Sequence, residues 1–177
     1  MTKGLQRSIN RGPETLQDVI NMQVAFSQDI TITGVDSAVD AGTAVIGGLP
    51  VGNLLLLGAV AYVSVDAGED ANVIDNWDGD YAIGTAPNDN DVDVGDAGEA
   101  NIIPSTAISA GDSDKLAPRT RTTTTGTEQG VILDNTDGSL ELNFNLLIDD
   151  NVITDTEDGV FTVAGNLYIA FVVLGDD

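Results

Sequence analysis

The chain contains no cysteine and no histidine among its 177 residues. Without cysteine there is no disulfide framework and no thiolate nucleophile or ligand. Without histidine there is no imidazole base and no imidazole ligand, which removes the Ser-His triad, the HExxH metal site and most zinc sites together. Cations are scarce: 6 Lys and Arg stand against 29 Asp and Glu, a net charge of −23. That field disfavours nucleic acid, whose phosphates need Lys and Arg, and it disfavours anionic membrane surfaces for the same reason. The longest apolar run, Leu54–Val65, is broken by Gly58 and falls well short of the ~20 residues a spanning helix needs. No export leader is expected, because Met1-Thr2-Lys3-Gly4-Leu5 lacks an apolar h-region. Aromatic residues make up only 5% of the chain, with one Trp and three Tyr, too few to furnish a sugar-stacking cleft. The glycines mark turns, and none belongs to a phosphate-binding loop.

What is present is a foldable chain. Apolar residues are 42% of the total, enough for one domain with a sizeable core. Acid excess with scarce lysine fits work in molar salt, where the Debye length shrinks to about 3 Å and self-repulsion is screened. Two regions are expected. Residues 1–22 form a basic arm that holds Lys3, Arg7 and Arg11, half of the 6 basic residues. Within it, Pro13 and two acids preceding Leu16, Val19 and Ile20 read as a short helix over 13–20. Residues 23–177 form a single β-sandwich domain.

Period-two patterning runs through the rest. Trp77, Gly79, Tyr81 and Ile83 share one face of a strand with Asp78 and Asp80 on the other, and Gly84 with Ala86-Pro87-Asn88 stops it. Val24, Phe26, Ile30 and Ile32 alternate with Ala25, Ser27, Asp29, Thr31 and Thr33. In Leu54–Val65, unbroken alternation puts Leu55, Leu57, Ala59, Ala61, Val63 and Val65 on one face and Leu54, Leu56, Val60 and Tyr62 on the other. A strand apolar on both faces is buried on both, inside a sandwich or against another subunit. Asp36–Gly42 reads as an acidic loop, Val45–Ile46 as a broken strand or turn region, and Asp112–Gly130 as a long polar connection holding Lys115, Arg119 and Arg121. Towards the C-terminus, Leu140, Leu142, Phe144 and Leu146 oppose Glu141, Asn143 and Asn145, while Phe161, Val163, Leu167, Ile169, Phe171 and Val173 share a face. Turns are expected at Asn135–Gly138 and Asp158-Gly159. Many strands and no amphipathic helix give an all-β fold, an antiparallel sandwich of jelly-roll type with an extended N-terminal arm. Trp77, Tyr81, Phe144 and Phe171 are its expected core anchors.

Chemistry is thinly represented. Asp89-Asn90-Asp91-Val92-Asp93 has the alternating carboxylates of a calcium loop, but Val94 stands where Gly is needed and Ala100 where the bidentate Glu belongs. Asp89, Asp91 and Asp93 are therefore candidates only for a structural cation of another kind. Asp149, Asp150, Asp155, Glu157 and Asp158 read as a hydrated rim. Among 29 acids no pair stands out as a hydrolytic acid and base. The expectation is a non-enzymatic protein without a cofactor.

Several stretches carry a resemblance. An aromatic strand with Asp78-Gly79-Asp80 leads into Ile83-Gly84-Thr85-Ala86-Pro87-Asn88, then Ile102-Ile103-Pro104-Ser105-Thr106. A strand ending Leu146-Leu147-Ile148-Asp149-Asp150 and a terminal Val173-Leu174-Gly175-Asp176-Asp177 complete the set. Over residues 50–177 the chain resembles small virion structural proteins encoded with head genes in podovirus-like phages and haloarchaeal tailed viruses. The resemblance implies a protein on the capsid surface that decorates, cements or projects from the shell. Its expected partners are the major capsid protein and itself, as a homotrimer. Independently of the resemblance, three cations gathered in the first eleven residues of an acidic body place Lys3, Arg7 and Arg11 at a capsid or subunit contact. The competing expectation is a cell-surface β-domain that binds a ligand or cation.

Overall fold

Odd-numbered apolar residues along the last strand establish the inner face of one sheet, and every other strand is arranged against it. The computed structural model describes residues 19–35, 38–89, 93–111, 115–124 and 128–174. These form nine strands: β1 (Val19–Thr33), β2 (Asp40–Gly48), β3 (Gly52–Asp66), β4 (Asp78–Gly84), β5 (Ile103–Ser109), β6 (Leu116–Thr123), β7 (Ile132–Asn135), β8 (Glu141–Ile148) and β9 (Asp158–Val173). No helix occurs among the described residues. One sheet runs β1-β9-β3-β6, with β7 also paired to β3, and the other runs β2-β8-β4-β5. All pairings are antiparallel. The chain crosses between sheets at most connections, which produces the double Greek key of a jelly roll, with β7 as an addition to the eight-strand path. The expected all-β sandwich of jelly-roll type is the fold observed.

The core lies between the sheets. Phe161, Val163, Leu167, Ile169 and Phe171 of β9 meet Leu142, Phe144 and Leu146 of β8, all buried. Tyr81 stacks flat on Phe144 at 5.3 Å, and Trp77 meets Phe161 edge to face at 5.4 Å. Trp77, Tyr81, Phe144 and Phe171 are among the largest fully buried side chains. Trp77 and Tyr81 also have polar tips that need partners when buried. The Trp77 Nε1–H donates to the Lys115 carbonyl at 2.7 Å, and the Tyr81 hydroxyl donates to Thr122 Oγ1 at 2.6 Å. Both bonds reach across the sandwich to β6 or the residue preceding it.

Several sequence expectations are corrected by tertiary contacts. Residues 112–130, expected to be a loop, contain strand β6, where threonines suit a strand and Pro118, Arg119 and Arg121 are tolerated because the strand lies at a sheet edge. Asp40–Gly42, expected to be part of an acidic loop, opens β2, and Val45–Gly48 continues that strand through a bulge. Gly42 permits this, since a Cβ there would sit 2.4 Å from Ile30 Cγ2 on β1. Asp158-Gly159 begins β9 instead of turning. Gly159 serves close approach, since a Cβ would lie 2.9 Å from Val73 Cγ2. β1 starts at Val19, in unbroken register with Val172 and its neighbours on β9, so Val19 and Ile20 are strand and residue 22 falls within β1. The rest of the expected helix, and Lys3, Arg7 and Arg11, lie outside the described residues.

Candidate assembly surface

The outward face of the β1-β9-β3-β6 sheet follows from one irregularity. β3 pairs with β9 as Leu56↔Phe171 and then Gly58↔Ala170, leaving Leu57 as an extra residue. Such a bulge reverses the side-chain alternation beyond it. Leu54 and Leu56 face the core before the bulge, and Ala59, Ala61, Val63 and Val65 face it afterwards. The unbroken alternation expected from sequence is therefore corrected: Leu55, Leu57, Val60 and Tyr62 share the outer face. Thr124 pins the bulge. Its Oγ1 accepts the Ala59 N–H at 2.6 Å and donates to the Ile102 carbonyl at 2.8 Å.

The resulting outer face is apolar over one half. Val19, Val172, Leu55 and Ile132 lie in one cross-strand row, and Val60 lies opposite Tyr168 in another. Leu57 is 41% exposed and Tyr168 42%. Towards the other end the rows turn polar, through Ser64, Ala164 and Ser27 to Asp66, Thr162 and Asp29. A shallow groove of about 730 Å³ runs beside the bulge between Met22, Leu57, Val60, Thr123 and Tyr168. Tyr62 and Tyr168 form an edge-to-face pair at 6.2 Å, with the Arg119 guanidinium 5.4 Å above the Tyr62 ring. Arg121 stands opposite Tyr62 on β6. Every described Lys or Arg, namely Lys115, Arg119 and Arg121, thus lies on or immediately before β6. Local polarity alone places both arginines in a loop. Alternating Thr and Arg (Arg119-Thr120-Arg121-Thr122) was the available signal that they share a strand face.

The opposite sheet has a different exterior. The connection between β4 and β5 folds back over β8 and β4, so that Val94 and Ala100 pack with Ala82 and Leu147. Asn145, fully buried, holds this cover down. Its Nδ2 donates to the Ala86 and Glu99 carbonyls, each at 3.0 Å. Its Oδ1 accepts the Asn88 N–H at 2.8 Å and the Thr43 hydroxyl at 2.7 Å. Of the cation candidates, Asp91 lies outside the described residues. The Asp89 N–H donates to Glu99 Oε1, and Asp93 Oδ1 accepts the Gly95 N–H at 2.7 Å. Among the described residues no three acidic side chains are grouped to hold a metal ion. Burial raises the pKa of Asp40, Asp80 and Glu99 on this side of the molecule, with further contributions from neighbouring acids.

No protein-family model and no curated protein matches the chain. Among solved structures it is similar to infectious bursal disease virus, Gx strain, at 10% identity and a TM-score of 0.37, covering 86% of this chain and 32% of that one. It is similar to the infectious bursal disease virus VP2 subviral particle at 11% identity and a TM-score of 0.38, covering 90% of this chain and 33% of that one. A chain of the cyanophage Pam1 capsid asymmetric unit is similar at 18% identity and a TM-score of 0.34, with 86% of this chain and 85% of that one covered. The chain spans about a third of the length of the two bursal disease virus chains. The fold assignment rests on the strand order itself.

Proposed function

We propose that this protein is a structural subunit of a virion, a jelly-roll domain that decorates, cements or projects from the head of a tailed virus in a saline host. The observation that carries the reading is the outer face of the β1-β9-β3-β6 sheet, which no segment among the described residues covers. Exposed leucine, valine and tyrosine side chains in continuous rows are a liability on a solitary protein and an asset at an interface. Arg119 and Arg121 border the same face. In a body of net charge −23, Arg119 and Arg121 give acidic subunits a place to approach without mutual repulsion. The partners that fit are a second copy, as a homotrimer, and the major capsid protein of an acidic shell. Lys3, Arg7 and Arg11 add a second cationic element to that contact, and the protein resides on the capsid surface. Its role is assembly and not catalysis.

Light scattering in molar KCl, followed by binding to purified empty shells, tests this. The expected result is a homotrimer that binds shells, with Tyr168→Glu and Arg119→Glu reducing one or both while leaving the β circular-dichroism spectrum intact. Deleting residues 1–12 is expected to weaken shell occupancy further. A wild-type chain that stays monomeric and ignores shells would overturn the proposal. Melting curves that stay flat between about 0.1 M and molar KCl would remove the saline host, because screening changes severalfold over that range. A cell-surface ligand-binding domain is the second reading, favoured by the groove beside Leu57. It would be preferred if small ligands, and not shells, protect Tyr168 from solvent.

A further inference from the structure

The covered sheet contains a buried acid whose two oxygens are treated differently. Glu99 is 3% exposed. Its Oε1 accepts the Asp89 N–H at 3.1 Å, whereas Oε2 is buried with no hydrogen-bond partner. An ionised carboxylate oxygen in that condition carries a desolvation penalty that folded proteins avoid. The backbone of Glu99 is held at both ends, which keeps the side chain at this place in the cover. Its N–H donates to the Asp96 carbonyl at 3.0 Å, and its carbonyl accepts from Asn145 Nδ2. Asp89 and Asp96 add negative charge close enough to act on the Glu99 carboxyl. Arg119 and Arg121, on β6, belong to the other sheet. The calcium-loop pattern in the sequence pointed to residue 100 for its closing acid; the buried acid is one position earlier.

We propose that Glu99 is the inner ligand of a hard divalent cation held at Oε2, with the exposed Asp89 and Asp96 carboxylates flanking it. The chain offers oxygen ligands alone, which suits Ca²⁺ or Mg²⁺ and not a thiophilic or imidazole-seeking metal. The described acids do not converge at direct-ligand spacing as a group of three. Waters therefore complete the shell and bridge to the flanking aspartates, which places the affinity at the weak end for such sites, about 10⁻⁴–10⁻³ M. A bound ion satisfies Oε2, offsets the like charges around it, and clamps the 85–102 connection onto β8.

Chelator-treated protein melted near neutral pH with CaCl₂ or MgCl₂, from about 0.1 to 10 mM to bracket that affinity, provides the test. NaCl at matched ionic strength is the control for general screening of the acidic body. The expected result is a rise in melting temperature with a divalent ion beyond that in NaCl. Glu99→Gln should abolish the rise, and Asp89→Asn and Asp96→Asn should move its midpoint to higher concentration. The ion with the lower midpoint identifies the better fit. An equal rise in Glu99→Gln overturns the site. So does a wild-type protein that ignores both ions yet gains stability on acidification, since a proton alone would then satisfy Oε2. Should Glu99→Gln fail to fold, unchanged midpoints in both aspartate variants are the overturning result.

Discussion

The two sheets of this jelly roll share one core and differ in what lies on their outer faces. On the β2-β8-β4-β5 sheet, a connection from the chain itself covers the strands. Asn143 and Asn145 of β8 are buried beneath it, and Asn145 has a partner for every polar atom. On the β1-β9-β3-β6 sheet no connection among the described residues does this, and Leu57 and Tyr168 are exposed. Polar residues are thus internal where the chain covers itself, and apolar residues external where it does not. The inversion is physically consistent: a self-supplied cover can be matched hydrogen bond for hydrogen bond, whereas a face reserved for a partner gains most from non-directional apolar area.

The largest effect is expected in the core that both sheets share. Trp77→Ala should cost about 3–5 kcal/mol, from lost burial and the cavity left against Phe161. Chemical denaturation measures it, and a variant as stable as wild type would mean that Trp77 anchors neither sheet. Next comes the covered face. Asn145→Ala takes the Nδ2 donor away from the Ala86 and Glu99 carbonyls and leaves the Asn88 N–H only its second acceptor, Thr43 Oγ1, at about 1–3 kcal/mol for buried groups left unpaired. Hydrogen exchange should accelerate across residues 85–102 and leave β9 unaffected. Uniform acceleration in both sheets would erase the distinction drawn between them.

The pH dependence should also belong to the covered side. Asp40, Asp80 and Glu99 have raised pKa values, with burial the largest cause in each. As pH rises from about 4, the unfolded chain releases these protons first and the folded chain retains them. Stability therefore falls as pH rises through the window between the ordinary carboxylate range and the raised values, and is regained on mild acidification. Asp137 acts in the opposite sense. Its pKa is lowered by the Ser139 hydroxyl and N–H, so its contribution is lost only below the ordinary range. Melting without divalent ions at descending pH should show a rise followed by a fall. In molar KCl, where general repulsion is screened, the rise should persist in wild type and shrink in Glu99→Gln. A monotonic fall from neutral pH would contradict it.

The smallest stability effect is expected on the open face. Leu57→Ser should change folding stability by no more than about 0.5 kcal/mol, as exposed positions generally do. The same substitution should nevertheless impair self-association, seen by light scattering. If it destabilises the fold as much as Asn145→Ala, Leu57 belongs to the core and the open face is not an interface.

Local pattern was enough to read much of this protein. The alternation in β9, β8 and β1 reports which side chains leave water, and the Asn135–Gly138 turn follows from Gly138 at φ +73°. Absence of helical periodicity was enough to make the fold all-β. Alternation cannot reveal an extra residue within a strand, because a bulge is defined against the partner strand. That is why alternation alone groups Leu55 and Leu57 with Ala59 and not with Val60. Nor does polarity reveal an edge strand: β6 is a strand through its pairing with β3 and the reach of Trp77 and Tyr81, all distant in sequence. Glu99 was hidden among 29 acids because its burial depends on how the 85–102 connection lies over Asn145. Sequence by itself determined the class of fold and the inward faces of its regular strands, since those depend on a residue and its near neighbours. Tertiary structure decided the outward faces, the cationic edge and the buried acid, because each depends on which distant segment covers a position or leaves it bare.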